Sequence, residues 1–100
     1  MNSISPSALL DKLSEGEDIQ LIDVREPWEH EEFNIGGELY PLDQILYHLP
    51  EISETKPVVF YCQKGIRSVI AIQKILQKKN FSNLYNLEGG MHAWKMQVGE

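Results

Sequence analysis

The stretch from Pro57 to Lys79 limits the possible fold more than any other part of the chain. It opens with Val58-Val59-Phe60-Tyr61-Cys62, the longest unbroken apolar run in the sequence. Five residues are far too few for a membrane span, which needs roughly 20, but they suit a strand buried on both faces. Gln63-Lys64-Gly65-Ile66-Arg67 follows as a polar, glycine-containing loop. From Arg67 to about Lys79 the pattern turns helical, with Val69, Ile72, Ile75 and Leu76 at three-and-four spacing. Ile70 and Ala71 make the first turn apolar on most sides, so this helix is expected to be buried at its start and solvated at its end.

The same alternation recurs along the chain. Ser5-Pro6 reads as a helix start, with serine as cap and proline at the first helical position. Leu9, Leu10 and Leu13 share one face of that helix, and Ser14-Glu15-Gly16 ends it. Ile19 to Val24 reads as a buried strand. Pro27 opens a short acidic helix around Trp28 to Phe33, broken by Gly36-Gly37. Leu39 to Leu42 suggests a short strand, and Ile45, Leu46 and Leu49 a helical turn. Leu84 to Leu87 reads as a further strand, Gly89-Gly90 as a turn, and Met91 to Met96 as a closing helix. Trp28 and Trp94 are expected to pack helix against sheet. Apolar strands alternating with helices imply an α/β layered fold with a largely parallel sheet. With 100 residues the chain suits one domain, 1–100, large enough to bury roughly 60–70% of its unfolded surface.

Charge narrows the function. The net charge of −6 hides an uneven distribution. Residues 1–55 carry −11, residues 56–79 carry +6 without a single acid, and residues 80–100 carry −1. An acidic whole argues against nucleic acid as partner. Lys74, Lys78 and Lys79 read as a solvated helix face, but Lys64 and Arg67 fall in the loop after the strand. There a basic pair favours a small anion. A lone cysteine excludes an internal disulfide and suits a reducing compartment. The first residues lack the basic and apolar regions of a secretory signal. The expected location is therefore cytoplasmic, with no membrane partner.

Cys62 ends the strand where open α/β sheets bind their ligands. Gly65 can take a positive φ and let the loop curl, so that successive N–H groups form an anion nest at the start of the next helix. Lys64 and Arg67 add positive charge. All of this favours thiolate over thiol, and the thiolate is the nucleophile. A buried cysteine acting as a small hydrophobe is the plainer alternative. His30, His48 and His92 are scattered and form no ligand-spaced pair with Cys62, so no metal or other cofactor is expected. His30 reads as a surface position. Asp23 and Arg25, ending a strand as Asp-x-Arg, read as a supporting structural ion pair.

Tyr61-Cys62-Gln63-Lys64-Gly65-Ile66-Arg67-Ser68 resembles the active-site loop of single-domain rhodanese-like sulfurtransferases. Leu21-Ile22-Asp23-Val24-Arg25-Glu26-Pro27-Trp28-Glu29 is similar to the family's first motif, and Leu87-Glu88-Gly89-Gly90-Met91-His92-Ala93-Trp94 to its closing Gly-Gly motif. The motif-bearing part covers about residues 5–97. The resemblance implies a three-layer fold with a central, mostly parallel sheet flanked by helices. It also implies sulfur transfer from a small anionic donor such as thiosulfate, through a persulfide on Cys62, to cyanide, a thiol or a partner protein. Gln63, Lys64, Gly65, Ile66, Arg67 and Ser68 would bind the substrate. Family members often read His-Ile-x-Gly-Ala-x-Asn-Ile-Pro ahead of the short third strand. This chain has Phe33 and Leu39 at the His and Asn positions, which reads as a packing variation away from the sulfur.

Two other readings compete. A non-catalytic or sulfur-relay interaction module would use the fold without turnover. A small phosphatase or arsenate reductase of the same fold would place five residues between Cys and Arg. Here four separate Cys62 from Arg67, a loop suited to one sulfur atom and cramped for a phosphoryl group.

Overall fold

The computed structural model describes residues 1–99. Five strands form one sheet: β1 (Asn2–Ile4), β2 (Gln20–Asp23), β3 (Glu38–Leu39), β4 (Val58–Tyr61) and β5 (Leu84–Leu87). Their spatial order is β1-β5-β4-β2-β3, and every pairing is parallel. The helices are α1 (Pro6–Ser14), α2 (Pro27–Glu32), α3 (Ile66–Lys78) and α4 (Gly90–Gln97), with a 3-10 segment over Leu42–Glu51. Among the described residues no helix is long and apolar enough to cross a membrane.

The central strand, β4, shows why the fold has three layers. Side chains alternate across a strand, so Val58 and Phe60 face one way and Val59 and Tyr61 the other, all fully buried. On the first face, Val58, Phe60, Ile22 and Leu84 meet Ala71, Ile72 and Ile75 of α3 and Ile45 of the 3-10 segment. On the second, Val59, Tyr61 and Leu87 meet Leu9 of α1 and Met91 and Trp94 of α4. Cys62 continues the alternation onto the α3 face.

Helix starts follow the local sequence. Ser5 Oγ accepts the Ala8 N–H at 3.2 Å, and Pro6 takes the first helical position. Two expectations need correction, and one element is new. The start of α3 is buried on one side only: Ala71 and Ile72 are inaccessible, but Ile66 is 69% and Ile70 39% exposed. Those two point away from the sheet, because the curled loop sets the first turn on the rim of the fold. Trp28 is 65% exposed rather than packed, whereas Trp94 is buried. Helix α2 buries none of its residues and is held by polar contacts. The edge strand β1 carries no apolar periodicity, only Asn2-Ser3-Ile4, and forms by pairing beside β5.

Candidate active site

The loop after β4 runs at the carboxyl end of the sheet, and helix α4 sets its shape. The Met91 and His92 amides donate to the carbonyls of Cys62 and Gln63, each at 2.9 Å. A trans peptide points its N–H opposite its C=O, so the Gln63 and Lys64 amides face away from α4. This grip needs contact distance between backbones. A Cβ on Gly90 would lie 2.3 Å from the Cys62 carbonyl oxygen and 2.7 Å from the Gln63 carbonyl carbon. The sequence identifies the Gly-Gly pair as a turn, and both residues do have positive φ. The close approach across sequence was invisible to it.

Gly65 turns the loop into the helix at φ 94°, a conformation that disfavours other residues. Its N–H donates to Cys62 Sγ at 3.1 Å, and the Ser68 N–H does so at 3.4 Å. Two of the loop's amides thus converge on Sγ itself. The N–H groups of Lys64, Ile66 and Arg67 have no acceptor among the described residues; the last two lie in the first turn of α3, which leaves them free. Cys62 is 1% exposed and lies at the floor of an open cup of about 320 Å³, lined also by Gln63, Lys64, Ile66 and Arg67.

Arg67 and Lys64 have separate surroundings. Arg67 forms a two-pronged ion pair with Glu29 of α2, at 2.7 and 2.9 Å. That contact holds the Glu29 carboxyl down at about 2 and raises the arginine further. Glu29 also accepts the Glu26 N–H at 3.0 Å, so one carboxylate links the start of α2 to the start of α3. Lys64 is exposed and has no ion-pair partner among the described residues.

Asp23 and Arg25 form a buried scaffold beside the loop. Arg25 donates to both carboxylate oxygens of Asp23, at 3.0 and 2.9 Å, to the Phe33 carbonyl, and to Gln63 Oε1 at 3.4 Å. His30 is not a free surface residue. Its Nδ1 lies 2.8 Å from Asp23 Oδ2, and its side chain is 23% exposed. Phe33 lines a groove of about 450 Å³ together with Arg25, Trp28, Glu29 and Gln63. The variant residue at the expected His position therefore borders the loop's approach. A further neighbour escaped the sequence reading. Asn86 of β5 accepts the Ser68 hydroxyl, placed there by its register opposite Phe60. Among the described residues no cluster of His, Cys, Asp and Glu could hold a metal ion.

Comparison with known proteins agrees with this architecture. A family model described as Rhodanese-like domain matches residues 5–97. The chain is 46% identical over 76 residues to the Bacillus subtilis protein YqhL, covering 75% of this chain and 60% of that one. It is 34% identical over 95 residues to a protein named Sulfurtransferase from Allochromatium vinosum, covering 94% and 88% of the two chains. The Mycobacterium tuberculosis protein named probable adenylyltransferase/sulfurtransferase MoeZ is 35% identical, but this chain spans only 25% of its length. The crystal structure of a rhodanese-like domain protein from Staphylococcus aureus superposes with a TM-score of 0.85 at 32% identity, over 94% of this chain and 91% of that one.

Proposed function

The chain belongs to the rhodanese-like domain family, and from that premise we propose that it is a sulfurtransferase with Cys62 as its nucleophile. Relatives named as sulfurtransferases support the general activity. The observation that carries the reading is the convergence of the Gly65 and Ser68 amides on Cys62 Sγ, at the floor of a cup open to solvent. Two N–H donors aimed at Sγ would stabilise the negative charge that it carries when the outer sulfur departs.

In the proposed cycle the Cys62 thiolate attacks the outer sulfur of thiosulfate. The S–S bond of the donor breaks, its electron pair leaves with sulfite, and a persulfide remains on Cys62. An acceptor nucleophile, either cyanide or a thiolate, then attacks the outer sulfur, and the electron pair of the new S–S bond returns to Cys62 Sγ. No general base is required when the thiol is already ionised. Lys64, the exposed cation on the rim, would meet the donor's negative charge. The unpaired amides of Lys64, Ile66 and Arg67 would face the extra sulfur as oxyanion-hole donors face oxygen. Arg67, committed to Glu29, would act mainly by holding the loop against α2. A partner protein carrying a thiol is equally suited as acceptor, and a cysteine that must cycle as a thiolate fits a reducing, cytoplasmic setting.

The test is thiocyanate formation from thiosulfate and cyanide. Purified protein should turn over, and Cys62→Ser should lose at least about a thousandfold, as removal of a covalent nucleophile does, with unchanged thermal unfolding. Comparable activity in the serine variant would refute the assignment.

A further inference from the structure

Ser68 stands between two partners and has one hydroxyl proton to give. Its Oγ lies 3.4 Å from Cys62 Sγ and donates to Asn86 Oδ1. All three side chains are buried. With its proton on Asn86, the hydroxyl offers the sulfur only a lone pair. That arrangement suits a thiol, whose S–H can donate to Oγ, and does nothing for a thiolate.

We propose that Asn86 is a positioning residue that sets the reactivity of Cys62 by competing with its sulfur for the Ser68 hydroxyl proton. With its proton held on Asn86, the hydroxyl serves thiol. Turned toward Sγ, at the cost of the hydrogen bond to Asn86, the O–H serves thiolate as a third donor beside the Gly65 and Ser68 amides. In the reading of Cys62 as persulfide carrier, on which this inference builds, the second state stabilises Sγ as it departs from the outer sulfur.

The charged groups around Sγ act separately from this control. Lys64 of the loop lines the cup, exposed and without an ion-pair partner among the described residues, and is common to every variant compared. From α3 comes Arg67, neutralised by Glu29 of α2. Asp43 of the 3-10 segment and Lys74 of α3 share a groove with Arg67. Asp23 at the end of β2 is paired with Arg25, which donates to Gln63 of the loop. Beyond β5, His92 of α4 is exposed and meets the loop through its backbone amide. The residue that β5 itself presents is the neutral Asn86.

The experiment reads alkylation of Cys62 by iodoacetamide across pH. Cys62 is the sole cysteine, so the mass gain reports it alone. Asn86→Leu removes the competitor, and the pH midpoint of alkylation should fall, with the rate below that midpoint rising about three- to tenfold. Ser68→Ala should move the midpoint the other way. In the Ser68→Ala background, adding Asn86→Leu should change the rate less than about twofold, because the proton in dispute is gone. Asn86→Ala serves the same comparison if the leucine does not fold. An Asn86 effect of equal size with and without Ser68, or no effect in a folded Asn86 variant, would overturn the proposal. Alkylation needs no sulfur donor, so a failure of sulfur transfer leaves this test standing.

Discussion

One carbon added at position 90 would strike the carbonyl oxygen of Cys62 at 2.3 Å, and that fact explains the residue better than its dihedral angles do. Gly90 lets α4 hold the loop by two hydrogen bonds, which in turn sends the Gln63 and Lys64 amides away from the helix. Gly90→Ala combines a left-handed backbone penalty with a steric overlap, and should cost about 3 kcal/mol in urea unfolding together with most sulfur transfer. A stable, active Gly90→Ala protein would mean the loop holds its shape unaided. Gly65→Val should act more locally. A Cβ there lies 3.3 Å from the Gly89 nitrogen, at φ 94°, so activity should fall more than stability. The residues Cys62 to Ser68 were legible in the sequence because strand, glycine and helix start lie consecutively. Glu29, Asn86 and the close approach at Gly90 were not. Each meets the loop from another element, through a register that no local pattern encodes.

At the scale of elements, α2 is the outlier. It has six residues and buries none, so packing does not hold it in place. The Glu29–Arg67 ion pair and the His30–Asp23 contact do so instead. The sequence predicted the helix correctly from Pro27 and the acidic run, but it had Trp28 packing helix against sheet, whereas the residue is 65% exposed. An anchor made of charge carries a pH signature. Glu29 titrates at about 2 in the fold against an ordinary value of 4.5. Its contribution to stability is therefore full above about 4.5 and is lost as pH falls toward 2. Glu29→Gln should flatten the loss of stability over that interval, as measured by denaturant unfolding at each pH. A variant as acid-sensitive as the parent would show that the pair does not hold α2. The exposed start of α3 has a related cause. Apolar spacing located the helix, but Ile66 and Ile70 sit on the rim of the cup, where the loop delivers them.

Across the whole molecule, a layered α/β fold with a largely parallel sheet was readable from the alternation of four apolar strands with helices. Strand order and the polar edge strand β1 were not, since neighbours across the sheet leave no trace in local composition. The uneven charge also finds its place. The acidic first half supplies α2 and the Asp23 scaffold, and the basic segment supplies the loop and α3, so the two halves meet at the site through Glu29 and Arg67. All of this serves one claim, that the fold presents residue 62 as a carrier of a single sulfur atom. The direct measurement is the intact mass of the protein after thiosulfate and then after cyanide. The account predicts a gain of one sulfur atom on Cys62, its loss on adding cyanide, and no gain in Cys62→Ser. A protein whose mass never changes, while its thiol remains open to iodoacetamide, would contradict it.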